Sequence, residues 1–141
     1  MYKTILLAID LAHESSWAKA APVAAKMADA FGAELHVMTV APRIRGGMVA
    51  QHFPSDFEQK AAAALAQELA ALTKTLFPGR PVKDHVTTGR IYRSIVDFAA
   101  KIDADMIVMA SHQPEFSDAM ISPNADLVLR NAKASITVVR N

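Results

Sequence analysis

The chain has 141 residues, 52% of them hydrophobic and 21% charged, with a formal net charge of +1 and a mean hydropathy of +0.16. That length suits one domain with a proper core, and the composition is too apolar for disorder. The near-zero charge argues against a general electrostatic nucleic-acid binder, and the absence of cysteine excludes disulfides, thiolate catalysis and thiolate metal sites.

The first element is a strand, "KTILLAI" (3–9), ending at Asp10. Its apolar run is too short for a signal peptide and is followed by no small-residue cleavage site, and no run reaches the length of a membrane span. The expected location is the cytoplasm, with no membrane insertion. A helix follows near 15–31, where Pro22 predicts either a kink or a late start. "ELHVMTV" (34–40) is the second strand. The stretch "APRIRGGMVAQHFP" (41–54), with two glycines and two prolines, reads as a mobile loop over one edge, either functional or a plain connection.

The next helix opens with Ser55 and Glu58 as a capping box and sets Phe57, Ala61, Leu65, Leu69, Leu72 and Leu76 on one face. "PVKDHVTT" (81–88), with alternating Val82 and Val86, is the third strand. "RIYRSIVDFAAKI" gives a helix with Ile91, Ile95, Phe98 and Ile102 on one face. The fourth strand is "ADMIVMA" (104–110), then a short helix over "NADLVLRNAK", then a last strand "ASITVVR" (134–140). Strands that are almost continuously apolar are buried on both faces of a parallel sheet. Strict alternation of strand and helix predicts right-handed crossovers and one α/β, doubly wound, five-stranded parallel sheet with helices on both faces. One composition regime and no internal repeat make residues 1–141 a single domain.

In such a sheet, ligands bind beyond the carboxyl ends of the strands, near the point where strand order reverses. The ends to inspect are Ala8-Ile9-Asp10, Met38-Thr39-Val40, Thr88-Gly89-Arg90 and Ala110-Ser111-His112. Asp10 is the one carboxylate there; it could accept a ribose hydroxyl or hold a Mg²⁺ water shell, or it could cap its own turn. "AIDLAHESS" lacks the glycines of a dinucleotide fold, no Walker loop is present, and Thr87-Thr88 stands where a phosphoacceptor would carry aspartate.

The opening "YKTILLAID", the turn "ADMIVMASH" and the ending "PNADLVLRNAKASITVVR" together resemble the universal stress protein family over nearly the whole chain. The match is closest to its subgroup with an Ala-Ser-His-x-Pro turn after the fourth strand. The resemblance implies strand order 3-2-1-4-5, a cytoplasmic stress-response homodimer acting on a partner protein, and in many members bound ATP, with Mg²⁺ as its companion. Slow ATP hydrolysis is the most the resemblance allows, because no catalytic set is assembled. ATP-binding members carry Gly-x-x-Gly, nine residues, then Gly-(Ser/Thr), glycines that let backbone N–H groups approach the phosphates.

Here those positions read Ala110, Gln113, Ser122 and Pro123, with eight residues in the spacer from 114 to 121, and proline has no N–H to give. Asp10 holds the family's acidic position, and Val40 the position whose backbone meets adenine. The implied site comprises Ala8, Ile9, Asp10, Val40, Met109, Ala110, Ser111, Gln113, Ser122, Pro123, Asn124 and Ala125, with Ser111, Ser122 and Asn124 able to supply side-chain donors where glycine backbone is lost, and Gln113 able to do the same or to fill the space. Pro123 suits the first turn of the last helix. The alternative is a nucleotide-free dimeric adaptor with a degenerate site. An ATP-dependent transferase or ligase lacks its signatures here.

The five histidines, His13, His36, His52, His85 and His112, show no ligand spacing, so no metal site is expected. Arg43 and Arg45 read as solvated cations and His112 as a turn residue, while Met38, Met106, Met109 and Met120 read as core or pocket lining. Arg130 and Lys133 are expected to face solvent or balance a helix dipole. The last strand, "SITVVR", is an edge, so dimerisation is expected through residues 135–141.

Overall fold

A computed structural model of the chain describes residues 1–41, 56–111 and 123–141. Five strands, β1 (Thr4–Ile9), β2 (Glu34–Ala41), β3 (Val82–Thr88), β4 (Met106–Ser111) and β5 (Ser135–Arg140), form one parallel sheet ordered β3-β2-β1-β4-β5. This is the expected order. The helices are α1 (Ala20–Phe31), α2 (Phe57–Leu76), α3 (Ile91–Lys101) and α4 (Pro123–Asn131).

Two apolar layers sandwich the sheet. Alanines 20, 21, 24 and 28 of α1, with Leu69 of α2 and Phe77, cover Ile5, Leu7, Leu35, Val37 and Val108. Small side chains there bring the α1 backbone close to the strands. The opposite layer is Ile95, Phe98 and Ala99 of α3 and Ala125 and Val128 of α4, on Leu6, Met38, Ile107 and Met109. The central strands β1, β2 and β4 are buried almost end to end, whereas β3 and β5 are half-buried edges. The alternation of "PVKDHVTT" reflects that edge position.

Several helix details differ from the sequence expectation. Residues Glu14–Ser16 form a separate 3₁₀ turn and α1 starts at Ala20, so Pro22 sits in its first turn and marks a late start rather than a kink. Gly32, with φ 62°, ends α1 in the left-handed conformation, its N–H reaching the Asp29 carbonyl. The N-cap of α2 is Asp56, whose side chain makes no capping bond; Ser55 lies outside the described residues. Only the second half of α2 is well covered: Leu69 and Thr73 are buried, Leu72 and Leu76 pack on the core, and Phe57 stays exposed. On α3, Ile95 and Phe98 are buried and Ile102 packs beside them, but Ile91 is exposed.

Candidate functional site

The strand ladders do not end together. β1 pairs with β2 as far as Ile9↔Thr39, and β4 pairs with β5 as far as Ser111↔Arg140. Between β1 and β4 the pairing stops at Leu7↔Val108, two or three residues before either strand ends. The sheet therefore splays at its carboxyl end, at the boundary where strand order reverses. That is where an open parallel sheet makes its ligand crevice.

Ala8, Ile9, Met109 and Ser111 form the floor of this splay, all buried. Ala8 and Met109 belong to the α3/α4 layer, with Ala125 from α4 completely buried beside them; Ile9 belongs to the α1/α2 layer, and Ala110 packs against that layer. Val40, half-buried, follows Thr39 at the end of β2. Pro123 is exposed and Asn124 half-exposed at the start of α4. Gln113 and Ser122 lie outside the described residues, as do His52, His112, Met120, Arg43, Arg45 and residues 42–54 of the 41–54 loop.

The Ser111 hydroxyl is completely buried and has no hydrogen-bond partner among the described residues. Its own carbonyl is satisfied by Asn141 Nδ2 at 3.3 Å. Thr87 Oγ1, near the end of β3, is likewise unpartnered. A buried hydroxyl without a partner costs roughly 1–3 kcal/mol. By contrast Thr39, buried on the α1/α2 side, donates to the Ile9 carbonyl at 3.0 Å.

Asp10 is engaged by its own turn. Its Oδ1 accepts from Ala12 N at 2.9 Å and its Oδ2 meets His13 Nδ1 at 2.9 Å. Ser16 Oγ accepts from Asp10 N at 2.8 Å and closes on the Asp10 and His13 carbonyls. Of the two roles open from sequence, the capping role is realised. Each carboxylate oxygen keeps a further lone pair, and the side chain is about half exposed at 54%, so the outer face can still accept a hydroxyl.

At the start of α4, Asp126 stands in the first turn, bridged by Arg130 at 3.0 Å. An acid there complements the helix dipole and competes with any other anion. Lys133 is exposed, as expected. Among the described residues, no group of three or more His, Asp or Glu side chains is placed to hold a metal ion, and no helix is long and apolar enough to cross a membrane. An open cleft of about 430 Å³ between α1 and the α2–β3 turn lies at the other end of the sheet, its walls tied by an Asp29–Arg80 ion pair, and shares no residue with the splay.

One pairing escaped the sequence reading. His36 and His85, 49 residues apart, meet across β2 and β3 with Nδ1 and Nε2 2.9 Å apart. Only the β2–β3 register, in which His36 pairs Lys83 and Met38 pairs His85, puts both rings on the α3 side.

The family model described as "Universal stress protein family" matches residues 1–140. Universal stress protein G of Escherichia coli O157:H7 is 28% identical over 145 residues, covering 99% of this chain and all of that protein. Universal stress protein A homolog 1 of Coxiella burnetii is 28% identical, covering 98% of this chain and 96% of its own. Among solved structures, a universal stress protein in complex with cAMP superposes with a TM-score of 0.68 at 20% identity, covering 99% of this chain and 97% of that one. The Archaeoglobus fulgidus universal stress protein in complex with dAMP gives 0.63 at 21% identity, covering 98% of each chain. Both likenesses are of fold.

Proposed function

The chain belongs to the universal stress protein family, and from that premise we propose that it is a single-domain, cytoplasmic stress-response module that binds an adenine nucleotide as a homodimer and signals to a partner protein. The observation that carries the nucleotide reading is the β1–β4 splay with the Ser111 hydroxyl, unpartnered among the described residues, in its floor. Two fold relatives hold cAMP and dAMP, so adenine monophosphates are the ligand class to test first.

In this reading the Val40 backbone meets the base and the outer face of Asp10 accepts a ribose hydroxyl. Ser111 and Asn124 donate towards the phosphates, and Ala8, Ile9, Met109, Ala110 and Ala125 supply the apolar walls. Gln113 and Ser122 complete the set from the connection between β4 and α4. Phosphate grip is weak by construction. Pro123 offers no N–H, and Asp126 already opposes negative charge at the α4 N-terminus. ATP, with Mg²⁺ accompanying it, should then bind little better than AMP.

Calorimetry with adenosine, AMP and ATP tests this. AMP and ATP affinities within a few-fold of one another, both weakened about tenfold or more by Asp10→Ala, are expected from loss of a charge-assisted bond of roughly 1.5–3 kcal/mol. No heat with any of the three at millimolar concentration would make the protein a nucleotide-free dimeric adaptor. The dimer is assigned to the exposed edge of β5, residues 135–141, whose unpaired backbone groups template a second copy. Light scattering should report a dimer in the parent and a monomer in Val138→Pro.

A further inference from the structure

The histidine pair lies apart from the crevice, on the α3 side of the β3 edge. His36 is 5% exposed. Its Nε2 contacts Glu34 Oε1 at 2.5 Å, and Lys83 Nζ holds the same carboxylate oxygen at 3.1 Å. A nitrogen facing a carboxylate must carry the proton, so Nδ1 of neutral His36 is an acceptor, and His85 Nε2–H donates to it. The rings are near-parallel at 13°, and His85 packs on Phe98 of α3 with centroids 4.5 Å apart. On its inner side His36 stands in register with Leu6 of β1.

This geometry accepts one extra proton and no more. If His85 takes it at Nδ1, Nε2–H still donates to His36 Nδ1; if His36 takes it at Nδ1, the bond survives with reversed polarity once the His85 proton shifts from Nε2 to Nδ1. If both rings are charged, N–H faces H–N across 2.9 Å. We propose that His36 and His85 form an acid-sensitive clasp that holds the β3 edge against β2 and α3 and releases it when both rings are protonated.

The surrounding charges favour release over a doubly charged pair. Burial holds the His85 ring below the ordinary histidine value, the charge of His36 adds to this, Lys83 of β3 and Lys101 of α3 push the same way, and Asp84 opposes them. The unfolded chain then binds the proton more readily than the folded one. Stability from this site is complete above about pH 6.5 and declines as pH falls from there towards the lowered folded value. Glu34, held low by Lys83 and His36, loses its stabilising charge only in a separate, more acid window, below the usual carboxylate value of 4.5.

Amide hydrogen exchange on the whole protein at pH 7.5 and 5.5, corrected for intrinsic rates, reads the clasp directly. Protection of Val82–Thr88 should fall at least tenfold on acidification while Met106–Ser111 in β4 keeps its protection. His85→Phe, which retains a ring on Phe98, should reduce that change to less than twofold. Equal protection of β3 at both pH values in the parent overturns the clasp, as does an undiminished pH effect in His85→Phe. Should that variant not fold, ¹H–¹⁵N spectra of the parent's rings decide. Coupled titration of the two histidines supports the clasp, and two independent, ordinary titrations refute it.

Discussion

The seam between β1 and β4 is built differently at its two ends. At the amino end Asp105 Oδ2 accepts from Lys3 N at 2.7 Å and Thr4 N at 2.9 Å, Asp105 N donates to the Thr4 carbonyl, and Ser135 N donates to the Asp105 carbonyl. One residue stitches β1, β4 and the start of β5 together. At the carboxyl end the ladder stops early and a buried hydroxyl has no partner among the described residues. A sheet closed at one end can leave polar capacity open at the other without losing its register. The locked end serves the fold, and the splayed end is where the proposed nucleotide would sit.

The middle of the seam carries the largest expected effect. Leu7 is fully buried, the last β1 residue paired with β4. Leu7→Ala should cost about 2–5 kcal/mol, from lost apolar burial and the cavity left behind, measured by urea unfolding. A cost below about 1 kcal/mol would mean that the α1 alanines collapse onto the gap and that the seam is softer than its burial implies.

The locked end should show itself through pH. Backbone N–H groups of Lys3 and Thr4 hold the Asp105 carboxyl below its usual value of 3.8. Its contribution is therefore complete above the ordinary carboxylate range and is lost as pH falls through the lowered folded value. Asp105→Ala should melt at a lower temperature than the parent at pH 7 and lose less on acidification to pH 3. Glu34 keeps some acid sensitivity in the variant. Parallel melting curves for both proteins across pH 3–7 would detach Asp105 from the seam.

These two ends were unequally readable in the sequence. The five strands stood out because β1, β2 and β4 are buried on both faces and so are written as continuous apolar runs; their observed bounds differ from the expected ones by one or two residues. Helical periodicity identified which side chains align on α2, but not that the sheet covers only its second half, since periodicity carries no information about what lies opposite. Asp10 was correctly placed at the tip of β1. That Ala12, His13 and Ser16 fold back to saturate its inner face depends on a loop conformation that no spacing encodes. The His36–His85 contact depends on inter-strand register, where a slip of one residue would send the rings to opposite faces. The early end of the β1–β4 ladder has no sequence signal at all. Both strands continue to be apolar through Ile9 and Ala110.

The smallest expected effect on stability falls at the open end, and it separates fold from site most cleanly. Ser111→Ala removes an oxygen that has no partner among the described residues, so no hydrogen bond among them is broken. Relief of an unsatisfied hydroxyl should offset the lost packing of one atom, leaving the unfolding free energy unchanged or raised by up to about 1 kcal/mol. Binding should respond in the opposite direction. If the hydroxyl donates to a ribose or phosphate oxygen, its loss costs roughly 0.5–3 kcal/mol, the upper part applying to a charged acceptor, or about twofold to a hundredfold in affinity for AMP. Thermal melts and AMP calorimetry on the same two samples give both numbers. Unchanged stability with weakened binding places the hydroxyl in the ligand site. Lower stability with unchanged binding gives Ser111 an internal partner, closes the seam at both ends, and removes the contrast from which the nucleotide reading was drawn.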